Sequence, residues 1–280
     1  MTAVFGKLFG KDRSSSTETP PDTVIYAVGD VHGRADLLAP LLQAIVTDAA
    51  ETPVSRRVFV FVGDYVDRGP DSKRVIQLLA GLQKAPGVEA HFLCGNHDET
   101  LLAFLTEPAS GPTWCDYGGR ETLASYGVTP PVARTDSGAW AEAAAAFGQA
   151  LPPEHRSFLE GLQESVTVGD YFFAHAGARP GTPLHLQSRR DMLWIREPFL
   201  EDDRRFEKVV VHGHTPAEAV HSDARRVGID TGAYATGVLT AVRLQDADRR
   251  FIQAVARPGR APDILQEPAG ARRAYGAGRG

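Results

Sequence analysis

Cysteine is scarce in this 280-residue chain: Cys94 and Cys115 are its only two. A disulfide framework is thereby excluded, and a chain of this length does not need one to stabilise a core. Long apolar runs are missing as well. No stretch approaches the roughly 20 residues that a membrane-spanning helix requires, and no signal-peptide h-region is read near the start. The expectation is a cytoplasmic protein without a membrane span. Basic excess is lacking too: the formal net charge of −5 offers no positive field for a polyanion, so nucleic acid is not an expected partner. What is present is apolar material, 42% of residues, enough for one generous domain.

Apolar runs at 24–28, 58–62 and 88–93 read as strands, the first two buried on both faces. Between them, residues 35–50 and 71–82 place leucine, isoleucine and valine at helical spacing, and a third helix follows Asn96 with Leu101, Leu102 and Leu105. Strand and helix in alternation predict an α/β fold with a parallel sheet. Residues 107–162 break the alternation and read as a helical cap insertion, with an alanine-rich helix around Trp140 and another opened by Pro152-Pro153. The pattern then turns to β at 165–168, 171–174, 209–212, 226–229, 239–244 and 251–256, which predicts a second, mixed sheet. The catalytic domain is expected over 23–256. Residues 1–22 and 257–280 are rich in Ser, Thr, Pro, Gly or Arg and are expected to be disordered tails. Val4 to Phe9 mixes apolar and basic side chains that could touch a membrane surface or a partner, but is read as an untethered terminus.

Three loops share one grammar. Gly29-Asp30-Val31-His32-Gly33, Gly63-Asp64-Tyr65-Val66-Asp67-Arg68-Gly69 and Gly95-Asn96-His97-Asp98 each follow a strand and precede a helix. That edge of a parallel sheet is where ligands bind. Two later strands end on histidine, at Ala174-His175-Ala176-Gly177 and Val211-His212-Gly213-His214-Thr215-Pro216. Carboxylate, imidazole and amide oxygen together suit a borderline divalent ion such as Mn, Fe, Zn or Co. With one bridging carboxylate the set suffices for two ions, spaced about 3.5–4 Å apart in sites of this type. Singly, each motif has a structural reading, since Asp caps helices and Gly tolerates positive φ.

Five motifs in this order resemble the phosphoprotein phosphatase family of calcineurin-like metallophosphoesterases, most closely its bacterial and bacteriophage serine/threonine protein phosphatases. The likeness runs from about residue 24 to 235. It implies a sandwich of two mixed β-sheets flanked by helices. It also implies Asp30 and His32 on a first metal, Asn96, His175 and His214 on a second, and Asp64 bridging them. His214 is preferred because it fills the Gly-His-Thr-Pro position, although spacing alone leaves His212 open. The same pattern makes His97 the general acid oriented by Asp67, and Arg68 and Arg196 the phosphate clamps, with Asn96 also touching substrate.

Such a set fits hydrolysis of a phosphate ester. Two cations and two planar guanidinium groups stabilise charge spread over the phosphate oxygens, and a histidine–carboxylate pair protonates a poor alkoxide leaving group. The implied activity is metal-dependent hydrolysis of phosphoserine or phosphothreonine on proteins, or of small phosphorylated substrates. One alternative is hydrolysis of dinucleoside polyphosphates or nucleotide ends; another is a non-catalytic scaffold, against which the joint presence of His97, Asp67, Arg68 and Arg196 argues. His32 stands where related diadenosine tetraphosphatases usually show Gln, which favours the phosphatase branch. Asp98 replaces a Glu common among relatives and is read as having little effect. Asp230 reads equally as a turn carboxylate or as a support for the site. Residues 114–127 and 180–190 are expected to frame the mouth of the site.

Overall fold

The computed structural model describes residues 17–268. Strand β1 (Thr23–Val28) is buried at every position, as an uninterrupted apolar run between two layers should be. On one side it pairs in parallel with β2 (Arg56–Phe61), which pairs in parallel with β3 (Glu89–Phe92). The crossovers are α1 (Ala35–Glu51) and α2 (Ser72–Gln83), and α3 (Asn96–Thr106) leaves β3. Helix α1 turns Leu37, Leu38, Leu41 and Ile45 inward, the stripe that the helical repeat lays on one face. Asp71 caps α2 by accepting the Arg74 N–H at 3.1 Å.

Residues 107–162 are built from helices and turns: one turn at Pro108–Ser110, α4 (Gly111–Trp114), a π turn over Cys115–Gly119, α5 (Arg120–Ser125), α6 (Ser137–Ala150) and α7 (Pro153–Glu160). This segment has no core of its own. Trp114, Leu123, Trp140, Phe147 and Phe158 join the same buried cluster as Leu37, Leu41, Val75 and Leu101. Phe104 at the end of α3 ties them in, its ring 4.9 Å from Trp114, 6.3 Å from Trp140 and 6.4 Å from Phe147.

The second sheet contains β4 (Ser165–Val168), β5 (Tyr171–Ala174), β6 (Val209–His212), β7 (His221–Ser222) and β8 (Arg226–Gly228), in the order β4-β5-β6-β8-β7, with parallel pairs at its centre. Between β5 and β6 lies α8 (Arg189–Trp194). Strands β9 (Val238–Gln245) and β10 (Asp248–Arg257) do not join this sheet as the sequence pattern suggested. β9 pairs antiparallel with the free edge of β1, β10 with β9, and β11 (Arg260–Pro268) with β10, making the first sheet six-stranded and mixed. The reason lies in β1: buried on both faces, its outer N–H and C=O groups need main-chain partners. The two sheets stack through Ile25, Ala27, Val58 and Val60 against Tyr171, Phe173, Val209, Val211 and Val227.

The described fold reaches into both segments that the composition suggested would be tails. Thr19 donates its N–H to the Asp246 carbonyl at 3.1 Å and accepts the Asp246 N–H on its hydroxyl at 2.9 Å, so order begins before residue 23. β11 carries Arg, Pro and Asp, yet a ladder of main-chain hydrogen bonds does not require apolar side chains. Val4 to Phe9 lies outside the described residues, as do the other residues of 1–16 and 269–280. Among the described residues, no helix is long and apolar enough to cross a membrane.

Phe147 is fully buried in the aromatic cluster that joins the two helical groups. Phe147→Ala is expected to destabilise the fold by ~3–5 kcal/mol, read from the denaturant midpoint at unchanged m-value. A loss under ~1 kcal/mol would show that residues 107–162 are not fastened through this contact.

Candidate metal centre

The motif loops leave the C-terminal ends of β1, β2, β3, β5 and β6, and they do so through unusual backbone. His32, Asp64, Asp67, Arg68 and His214 have φ of 44°, 53°, 72°, 67° and 65°. Among the described residues, only two other non-glycine residues have positive φ, Asp22 and Asp246. Each such residue costs ~1–3 kcal/mol, so the surrounding contacts must fix it. Some of those contacts are main chain on main chain: a Cβ on Gly63 (φ 103°) would meet the Gly95 nitrogen at 2.5 Å. Asp98 supplies others. Its buried carboxylate accepts the N–H groups of Asp64 at 2.8 Å, Gly95 at 2.9 Å and Tyr65 at 3.0 Å, which locks the β2 loop to the start of α3. Burial and the Asp64 charge push its carboxyl up to about 7.

Two groups of side chains could hold cations. One contains His32, Asp64 and His97, the other Asp64, His175 and His214, with candidate ligand atoms within 4.8 Å of one another in each. Asp64 belongs to both. His32 Nδ1 lies 2.8 Å from the Val66 carbonyl and His175 Nδ1 2.9 Å from the Val62 carbonyl. A carbonyl only accepts, so both Nδ1 atoms carry the proton, and in the neutral ring each Nε2 is a bare lone pair. Burial keeps the rings neutral, pulling His32 down to about 3 and His214 to about 2, and lowering His175. His175 Nε2 then stands 3.0 Å from Asn96 Oδ1 and 3.2 Å from His214 Nδ1, with His214 Nδ1 2.8 Å from Asn96 Oδ1. Of these three converging atoms, only His214 Nδ1 can carry a proton. The buried Nε2 of His214 has no hydrogen-bond partner.

Asp30 lies outside both groups but adjoins them, accepting the His214 N–H at 3.0 Å. Burial, Asp230 and Asp64 raise its carboxyl well above the usual carboxylate range. Burial also lifts Asp230 to about 6, with Asp64 adding to it. Asp230 is both a turn carboxylate, accepting the Gly232 N–H at 2.9 Å, and a neighbour of Asp30. Crowded carboxylates beside bare imidazole nitrogens fit a divalent cation, which relieves both repulsions.

The other predicted residues gather beside this centre. His97 Nδ1 is 2.7 Å from Asp67 Oδ2, and its Nε2 faces an Arg68 guanidinium nitrogen at 3.1 Å. Burial opposes the imidazolium form, but Asp64 and Asp67 outweigh it and raise the pKa of His97. Asp64, Arg68, Asn96, His97, Arg196 and His214 line one cleft of about 400 Å³. His212 points elsewhere: its ring packs on Phe199 at 4.9 Å and its Nε2 meets Arg226 at 3.2 Å. One rim of the cleft comes from Ser110, Thr113, Trp114 and Tyr117, overlapping the expected segment 114–127. The other is formed by Trp194 and Arg196 rather than by residues 180–190, of which Leu184, His185 and Gln187 line a separate depression.

A model of the calcineurin-like phosphoesterase family matches residues 23–244. The chain belongs to this family. It is 27% identical over 258 residues to the asymmetrical bis(5'-nucleosyl)-tetraphosphatase PrpE of Geobacillus thermodenitrificans, covering 78% of this chain and 89% of that one. Among solved structures, a protein proposed to be a diadenosine tetraphosphatase superposes with a TM-score of 0.56 at 21% identity, over 89% of this chain and 95% of the other. A point mutant of a cold-active protein tyrosine phosphatase gives 0.53 at 17% identity over 86% and 82%. At these identities the two structures speak for the fold.

A calcineurin-like phosphoesterase works with divalent metal ions, and the donor set of this member suits them. Several supporting residues escaped the sequence reading. Thr122 donates its hydroxyl to Asp67 Oδ1 at 2.6 Å and Trp114 its indole N–H to Asp67 Oδ2 at 2.8 Å. Tyr234 lies against the Arg68 guanidinium, 4.6 Å from ring centre to Cζ, and 5.4 Å from the His32 ring. These three offer no sequence signal, whereas Asp98 sits inside a motif, and its three N–H bonds give that carboxylate a role in fastening the loops. Asp98→Ala strands three buried N–H groups at ~1–3 kcal/mol each, so a loss of at least ~3 kcal/mol is expected in urea unfolding. Wild-type stability would show that another acceptor replaces the carboxylate.

Proposed function

We propose that this phosphoesterase hydrolyses dinucleoside polyphosphates of the diadenosine tetraphosphate type. The observation that carries this reading is the relative named for that reaction, aligned along most of both chains. It reverses the preference drawn from His32. Asp30 and His32 would hold one divalent ion and Asn96, His175 and His214 a second, with Asp64 shared between them; manganese is the ion to try first, with Fe, Zn and Co sharing its taste for mixed oxygen and nitrogen ligands. When bound, such ions lower the pKa of water and neutralise phosphate charge. Arg68 and Arg196 bracket the phosphate chain with planar forks. A phosphate that takes over the Arg68 N–H now shared with His97 Nε2 frees that nitrogen to carry a proton to the departing oxygen, with Asp67 holding the ring.

A phosphoserine or phosphothreonine ester would meet the same groups. The substrates differ in the leaving group: a nucleotide phosphate departs as a stable anion and an alkoxide does not, so dependence on the acid differs. Metal-stripped protein given manganese is expected to cleave diadenosine tetraphosphate faster than a phosphothreonine peptide. Peptide turnover in excess would return the chain to the protein phosphatase reading, and no turnover of either would point to a scaffold. His97→Ala is expected to keep its metal and to slow peptide hydrolysis ~100–10,000-fold but anhydride cleavage far less. Asp64→Asn is expected to lose bound metal, measured by elemental analysis, together with activity; full metal content would remove Asp64 from the bridge.

A further inference from the structure

Large aromatic side chains are normally buried or half-buried. Among the described residues, the exposed aromatic side chains are Tyr117, at 63%, Trp194, at 47%, and Tyr234, at 38%. All three stand at the metal centre. Tyr234 is occupied there, between Arg68 and His32. Tyr117 and Trp194 line the cleft. Trp194 touches the centre by an edge only, 6.3 Å from the His214 ring at an interplanar angle of 81°.

Their attachment to the chain gives this exposure a meaning. Tyr117 sits in a kinked turn next to Gly118 (φ 107°), whose carbonyl accepts the main-chain N–H of Arg68 at 3.1 Å. Trp194 ends α8 two residues before Arg196, with Ile195 buried between them. Each of these two rings is therefore held near a clamp arginine by the main chain, Tyr117 through the Gly118–Arg68 bond and Trp194 two residues before Arg196. Thr100, Ser110 and Thr113 line the same cleft, whose volume falls within the ~300–1,000 Å³ usual for ligand sites.

We infer that Tyr117 and Trp194 are stacking platforms for the nucleobases of a nucleotide whose phosphates lie on Arg68 and Arg196. The inference rests on the dinucleoside polyphosphate reading and adds the recognition of its bases. Two exposed rings and two arginines lining one cleft match a substrate with a nucleoside at each end of a polyphosphate. Every base offers a π face, so stacking distinguishes base from no base rather than one base from another.

The test separates binding from turnover. The full manganese-loaded chain is titrated with AMP and with ribose 5-phosphate, which lacks the base. Wild type is expected to bind AMP roughly 5- to 100-fold more tightly, the range that stacking of one base supplies. Tyr117→Ala and Trp194→Ala are expected to shrink this preference, and Tyr117→Phe and Trp194→Phe to keep it. Tyr117 is mostly exposed, so its truncation leaves the core intact and carries the test even where Trp194→Ala fails to fold. Equal binding of the two ligands by wild type, or an undiminished preference in Tyr117→Ala, overturns the platforms and leaves the rings to a peptide. A base preference that depends on the rings, found without cleavage of diadenosine tetraphosphate, sustains the platforms while the proposed activity falls.

Discussion

Buried like charge governs this molecule. Asp30, Asp64 and Asp230 lie in one solvent-poor region, where burial first and then the charges of neighbouring carboxylates raise the carboxyls of Asp30 and Asp230. Beside them His32 and His175 turn bare nitrogens inward, because their other nitrogens are committed to main-chain carbonyls. Carboxylates and lone pairs brought this close inside a protein are repulsive without a cation. The fold must therefore hold them together against their own electrostatics. It does so with main chain: the left-handed residues at strand ends, the Gly63–Gly95 contact and the three N–H groups gathered by Asp98. Strain and repulsion are tolerated because the two stacked sheets and their helices over-determine the loops.

The helical segment 107–162 belongs to this device. Asp67 orients His97, yet it is itself fully buried and would be a costly charge alone. Trp114 and Thr122, both from the helical segment, donate to its two oxygens, and Ser72 and Thr122 share the Asp67 N–H. The aromatic cluster of Phe104, Trp114, Trp140 and Phe147 thus anchors more than a core. Loosening it moves the donors that keep Asp67 ionised and aimed, which couples helix packing to the proton-carrying histidine.

The parts of this design that were legible in the sequence are those with a local period or a local motif. The apolar run of β1, the leucine stripe of α1 and the glycine-flanked Asp, His and Asn loops announce themselves within a few residues. What escaped depends on distance along the chain. β9 pairs with β1 across more than two hundred residues, and no alternation within β9 tells a strand which sheet it completes. β11 was hidden by its Arg and Pro content, since the main-chain ladder that forms it leaves no mark in side-chain hydropathy. His212 and His214 have the same spacing argument; the packing of His212 on Phe199 and its contact with Arg226 decide between them. Thr122, Trp114 and Tyr234 act from loops or helices with no motif, so only the assembled structure gives them a role.

The same contrast bears on substrate choice. Chemistry sits on strand ends, where a shift of one residue would break main-chain contacts between β1, β2 and β3. The proposed base recognition sits on the rim, where Tyr117 and Trp194 project from a kinked turn and a short helix. A family can therefore keep one hydrolytic centre and present it to anhydrides, monoesters or peptides by changing what surrounds the opening. The motifs consequently specify the reaction class far better than the substrate. In this chain two exposed rings and two arginines line one cleft, and that combination, absent from any motif, is where the physical argument for a nucleotide begins.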